Sequence, residues 1–264
     1  MKMWSYFKKL KLNSAQWMAV VTVFLLMVCW EAAARINLIP TIFFPAPTVI
    51  FSTIFRLTID GKLVVTSGIT LSRVLLGFFF GGLSGMILGL GMGWSRKLRS
   101  FFDPIIAAIH PIPKIAILPL IMIIFGIGDL SKIVVVGIST FFPMLINCMA
   151  GVSQINPANF QVAENYGAGP LKLFMRVILP GSLPMVLTGG RISLNLALLI
   201  TIAVELVSAQ KGLGAMVWLA WETLRIEELY ASIVVVSILG IIFNFFFQYL
   251  HKRLVPWQSI DRSI

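Results

Sequence analysis

Apolar residues arrive along this chain in long runs, and polar residues gather in the gaps between them. An α-helix of roughly 20 apolar residues crosses the hydrocarbon layer of a bilayer. Six such spans can be read, over residues 17–34, 74–95, 103–125, 133–152, 183–208 and 229–250. The third is expected to be broken. Pro111, Pro113 and Pro119 each remove a backbone donor, and irregular backbone at membrane depth survives only against protein or a water-filled cavity. The first has the look of a secretory signal, but its flank continues as Glu31 and Arg35 without a cleavage region, so a retained helix is expected.

The gap at residues 153–182 is the most structured of the polar segments. Asn156 and Pro157 form a helix start, and Gly167 ends a short helix. Gly169 and Pro170 open a second one, with Leu171, Phe174, Met175 and Ile178 on one face, which Leu179 and Pro180 are expected to stop. A bare connection needs only a few residues, so this helix, glycine, helix knuckle reads as a docking surface for another protein. The gaps on the other side, residues 36–73 with the turn-rich Pro45, Ala46, Pro47 and residues 209–228 with Glu222, Glu227 and Glu228, are too short for a folded receptor.

Composition narrows the class. Of 264 residues, 58% are hydrophobic and 12% charged, with mean hydropathy +0.95, so no soluble domain could cover its own apolar side chains. The chain reads as an all-α polytopic membrane protein, one transmembrane domain over residues 1–264 with its core at about 66–250. The net charge of +11 suggests no nucleic acid partner, because the basic residues cluster beside spans. Lys2, Lys8, Lys9 and Lys11, then Arg96, Lys97 and Arg99, then Lys172 and Arg176, then Lys252 and Arg253 fall on one side if six helices cross, which places both termini in the cytoplasm. Cys29 and Cys148 lie in apolar runs and read as small hydrophobes; no metal site is expected.

Gly77, Gly81, Gly85, Gly89 and Gly93 recur every fourth residue of the second span and form one slowly turning groove, for packing within the chain or against a second copy. Gly82, Leu83, Ser84, Gly85 also spells GxSG, the surroundings of an intramembrane protease serine. His110 is the only histidine near it in depth. Ionisable side chains within spans face protein or a cavity, which singles out Arg73, Lys114, Lys132, Arg191 and Glu205. Arg73 and Lys132 lie close enough to span ends to snorkel. Arg191 and Glu205 are about 21 Å apart on one helix, so each needs another partner. Glu205 reads as an external gate or as a buried hydrogen-bonded support. His110, Lys114, Arg191, Asn195, Thr201 and Glu205 are the candidates for a translocation path, where a positive lining favours an anion.

The string Gln161, Val162, Ala163, Glu164, Asn165, Tyr166, Gly167, Ala168, followed by Val177, Ile178, Leu179, Pro180, resembles the EAA loop of bacterial ABC importer permeases. Its spacing is EAA, three residues, Gly, nine residues, I, one residue, LP. Gly167, Leu179 and Pro180 occupy the fixed positions, while Gln161, Val162 and Val177 depart from them. Further strings extend the resemblance over nearly the whole chain and bring it closest to the sulfonate, taurine and nitrate branch: Phe44, Pro45, Ala46, Pro47; Thr70, Leu71, Ser72, Arg73; Phe125, Gly126, Ile127, Gly128; Gly189, Gly190, Arg191; Gly212, Leu213, Gly214. The resemblance implies a type I ABC importer permease (MetI-like) fold in the bacterial inner membrane. It also implies a second permease copy, forming a homodimer, and a periplasmic or lipid-anchored binding protein that delivers a small anionic solute such as a sulfonate, nitrate or bicarbonate. A cytoplasmic ATPase dimer would sit on the loop from Phe160 to Gly167, with Leu179 and Pro180. No GxxxxGK[ST] string occurs in the sequence, so ATP and Mg belong to the partner and this chain is expected to bind no cofactor and catalyse nothing. The competing readings are an intramembrane serine protease using Ser84 and His110, and a stand-alone secondary carrier.

Overall fold

The glycines of the second span decide how the helices assemble. The computed structural model describes residues 14–257, and every regular element among them is helical. In chain order these are α1 (Ser14–Arg35), α2 (Pro47–Ile59), α3 (Lys62–Trp94), α4 (Arg96–Ile109), α5 (Leu118–Phe125), α6 (Asp129–Ser153), α7 (Pro157–Asn165), α8 (Pro170–Ser208), α9 (Leu213–Glu222) and α10 (Ile226–Leu254). Five of them, α1, α3, α6, α8 and α10, are long and apolar enough to cross a membrane. Lys2, Lys8, Lys9 and Lys11 lie outside the described residues.

The α3 groove is filled by α6 of the same chain. Gly77 faces Val136, Gly81 the Gly137 carbonyl and Thr140, Gly85 the Phe141 carbonyl and Met144, Gly89 Leu145 and Cys148, and Gly93 Val152. A missing side chain at each step lets the backbones touch, which is how helices associate where lipid is as apolar as protein. The Thr140 hydroxyl reaches across to the Gly77 carbonyl at 3.3 Å. Residue numbers rise together on both helices, so α3 and α6 run parallel.

That direction fixes what lies between them. The distance from Arg73 to Gly93 is about 30 Å at the helical rise per residue. Asp129 pairs with Arg73 at one end and Val152 meets Gly93 at the other, so residues 95–128 return over that full length, about the thickness of a bilayer core. They do so as two helices, not one. The third apolar run is broken between α4 and α5, where residues 110–117 hold Pro111 and Pro113 in turns.

α8 runs back along α6, with Ser182 beside Gly151, Gly189 beside Asn147, and the Ser193 hydroxyl donating to the Thr140 carbonyl at 3.1 Å. α10 runs antiparallel to α8, with Phe247 over Gly190. Val74, Val135, Val136, Ala197, Val204 and Phe243 form the core between these helices.

Several expected boundaries move. Residues 36–73 are not a loop, since α2 starts at Pro47 and α3 already at Lys62. Residues 209–228 hold α9, whose Leu213, Ala215 and Ala220 are buried. Pro180 does not stop its helix. Phe174–Ile178 is a π-helical turn in which the Leu179 amide donates to the Phe174 carbonyl, and the wider turn relieves the clash a proline ring makes with the preceding turn. The expected apolar face of that segment is split: Ile178 is buried and Phe174 half-buried, whereas Leu171 and Met175 are exposed.

Candidate functional site

Two regions gather the chemistry, one at each end of the bundle. At the end where α3, α6 and α10 begin, Arg73 is 2% exposed and Glu205 0%. Arg73 Nη1 donates to Glu205 Oε1 at 2.6 Å and to the Lys211 carbonyl at 2.7 Å, while its Nε donates to Asp129 Oδ1 at 2.9 Å. Glu205 also accepts from the Thr70 hydroxyl at 2.9 Å and the Gly214 amide at 2.9 Å, and Thr70 in turn accepts from the Leu213 amide at 2.8 Å. One carboxylate thus ties α3, α8 and the start of α9 together. Glu205 is fully buried, with both carboxylate oxygens hydrogen-bonded.

The snorkelling expected of Arg73 and Lys132 is not what the structure shows. Lys132 is 1% exposed, with Nζ donating to Gln210 Oε1 at 3.3 Å. Both cations turn inward because Asp129, Glu205, the Gln210 side chain and the Lys211 carbonyl supply acceptors there. Arg73 and Glu205 stand 132 positions apart, so only the tertiary fold brings them together. Nearby, Glu228 accepts from Lys62 at 2.9 Å and Arg225 at 3.1 Å, pinning the starts of α3 and α10.

The other path candidates are scattered. Lys114 Nζ donates to the carbonyls of Ile109, His110 and Ile112, capping the broken end of α4, and lies 4.6 Å from the Phe142 ring centroid. His110 stacks on Phe142 with centroids 5.2 Å apart. The Ser84 hydroxyl donates back to the Phe80 and Gly81 carbonyls. Neither side chain hydrogen-bonds the other among the described residues. Asn195 is half-buried, and Thr201 is 1% exposed with an unpartnered hydroxyl. Arg191 is exposed and donates through Nε to Asn244 on α10.

The knuckle lies at the opposite end, beyond the last residues of α3 and α6. The Asn156 side chain accepts from the Ala158 amide at 2.9 Å and caps α7, whose first residue is Pro157. Gly167 closes it at φ +72°, with its own amide on Glu164 and the Ala168 amide on Ala163, a left-handed glycine stop. Phe160 anchors α7 against the cluster of Ile178, Val152 and Cys148, with Leu179 beside it. Gln161, Glu164 and Asn165 are exposed, and Ala163 and Pro180 half-buried. An open depression of about 480 Å³ separates α7 from the start of α8, lined by Val162, Ala163, Arg176, Pro180 and Trp257. Val162 (55%), Tyr166 (89%), Leu171 (72%) and Met175 (57%) present large apolar surface outside the bundle.

A bundle of apolar helices, five of them long enough to cross a bilayer, defines a multi-pass membrane protein with an ordered helical knuckle at one end. The chain belongs to the binding-protein-dependent transport system inner membrane component family, whose model matches residues 77–260. It is therefore an ABC transporter permease, a transport subunit. It is 34% identical to the taurine transport system permease protein TauC of Escherichia coli K12 over 92% of this chain and 90% of that protein. The putative aliphatic sulfonates transport permease SsuC of the same organism is 32% identical over 95% and 94% of the two chains, and that of Bacillus subtilis 28% over 87% and 83%. A chain of the MetNI methionine ABC transporter in an inward-facing conformation superposes with TM-score 0.63 at 20% identity, covering 75% of this chain and 98% of that one, and so shares the fold.

Proposed function

We propose that this chain is the membrane-spanning half of an ATP-driven importer for a small sulfonate such as taurine. It takes the solute from an external binding protein and works with a second permease copy and two ATPases. The observation that carries the coupling role is the knuckle. Val162 and Tyr166 on and beside α7, with Leu171 and Met175 at the very start of α8, gather large exposed side chains at this end of the bundle. An ATPase seated there would move α7 together with the helix ends it packs on, because Phe160 seats it against Val152 and Ile178. The substrate class follows the relatives named for taurine and aliphatic sulfonates.

Six crossings, with the knuckle in the cytoplasm of a bacterial inner membrane, fit this role. The parallel run of α3 and α6 and the basic residues Arg96, Lys97, Lys172, Lys252 and Arg253 at the knuckle end support that orientation. The test is co-expression with the neighbouring ATPase. Wild type should co-purify it in stoichiometric amount and import taurine on ATP, while Val162→Glu with Leu171→Glu should release the ATPase from a chain that still folds. Equal ATPase recovery in both would overturn the assignment of the knuckle.

A further inference from the structure

Between α8 and α10 a cavity of about 460 Å³ opens to the side of the bundle, and its polar lining is cationic. Arg191 and Lys252 line it with Thr188, Gln248 and His251, and Leu187 and Phe247 form its apolar walls. Asn244, which holds the Arg191 Nε, lies eight residues before Lys252 on α10, so the fissure climbs about 12 Å from the knuckle end toward mid-bundle. The terminal nitrogens of Arg191 have no protein partner among the described residues, and no carboxylate lies within salt-bridge distance of Arg191 or Lys252 there.

The contrast with Arg73 is chemical. Arg73 spends four of its five N–H groups on two carboxylates and a carbonyl and has little left to offer a ligand. Arg191, exposed and held by its Nε alone, lines the cavity together with a second cation, Lys252, and keeps its terminal donors free. An arginine at membrane depth is costly against lipid tails and survives in water, against protein or on an anion. Its fork of N–H groups matches two oxygens of a sulfonate or phosphate.

We infer that this fissure binds a singly charged tetrahedral oxyanion attached to a short or apolar body. Arg191 takes two oxygens, Lys252 supplies the second charge, and Thr188 and Gln248 offer further polar contacts. A transported sulfonate and the phosphodiester of an anionic lipid share this chemistry. That the solute reaches the site during import rests on the permease reading; the preference for oxyanions does not.

The experiment places a cysteine at position 188 of the full chain (Thr188→Cys, with Cys29→Ser and Cys148→Ser) in phosphatidylcholine nanodiscs. It compares modification by sulfonatoethyl and trimethylammonioethyl methanethiosulfonates, each normalised to its rate with a free thiol. The sulfonate reagent should be favoured by at least about tenfold, as expected of a cleft of one charge sign. Adding Arg191→Gln and Lys252→Gln should return the ratio to near one. Slowing by ethanesulfonate in pure phosphatidylcholine identifies a free solute as occupant, and slowing only when phosphatidylglycerol is included identifies a lipid headgroup. A ratio near one in the parent, or one unchanged by the two substitutions, overturns the site. Should Thr188→Cys not fold, Gln248→Cys carries the same comparison. Failure of the wild-type chain to co-purify an ATPase, with the reagent preference intact, would count against the importer proposal alone.

Discussion

Arg73 of α3 and Glu205 of α8 meet at 2.6 Å with 3% and 0% of their side chains exposed, and each spends its remaining hydrogen-bonding capacity on a different element. The pair joins the two longest apolar helices to the start of α9. Arg73→Met strands the buried Glu205 carboxylate, at a cost of about 3–5 kcal/mol, and Glu205→Met leaves Arg73 only its exposed Asp129 partner and frees the Thr70 hydroxyl and Gly214 amide, whereas replacing both removes the two buried charges together. Arg73→Met and Glu205→Met should each lower the unfolding midpoint of the detergent-solubilised chain sharply, and the double variant should be more stable than either. A double variant as unstable as the sum of the singles would show that the two residues do not act as a pair.

The α3 groove gives a contrast between adjacent glycines. A Cβ at Gly81 has no space before the Gly137 backbone, while one at Gly82 meets only the Phe78 ring of its own helix at 3.5 Å or more. Gly81→Val should therefore force α3 and α6 apart and cost more than the about 1–3 kcal/mol of ordinary overpacking, because backbone cannot yield as a side chain does. Gly82→Ala should give wild-type yield of monodisperse protein on size exclusion, and a matching loss from both substitutions would contradict the packing described.

At Gly167 the constraint is conformational. Nothing lies within 4 Å of a Cβ there, but φ is +72°. Asparagine tolerates that region and a β-branched residue does not. ATPase co-purification should be near normal for Gly167→Asn and strongly reduced for Gly167→Val. Equal retention would mean that the bend of α7 does not matter for docking.

Membrane sidedness is open to direct chemistry. Asn165 and Glu222 are exposed at opposite ends of the bundle. Single cysteines at these positions, in a chain lacking Cys29 and Cys148, should separate under a membrane-impermeant thiol reagent in intact cells, with labelling at 222 and none at 165. Labelling at 165 would put the knuckle outside and end the importer reading.

What the sequence disclosed was what acts over short range. Run length gave the apolar helices, fourfold glycine spacing the α3 groove, Asn156 with Pro157 the start of α7, and Gly167 its end. Pro47 carried the signal for α2, since proline favours the first helical turn, but it reads equally as part of a turn-rich string. Pairings across the chain had no local signature: Arg73 with Glu205, Lys62 with Glu228 and Arg191 with Asn244 depend on how helices are stacked. α9 was hidden for a related reason. Its start lacks a side-chain cap, and the Gly214 amide is satisfied instead by the distant carboxylate of Glu205.

The five backbone contacts between α3 and α6 also have a mechanical meaning. Two rods clamped at one point can slide and flex independently, but rods keyed together at every turn along about 24 Å bend as one laminated beam, far stiffer than either alone. The knuckle sits at one end of that beam and the Arg73, Asp129 and Glu205 cluster at the other. A displacement imposed at one end is therefore delivered to the other with little lost in between, as tilt rather than as local distortion.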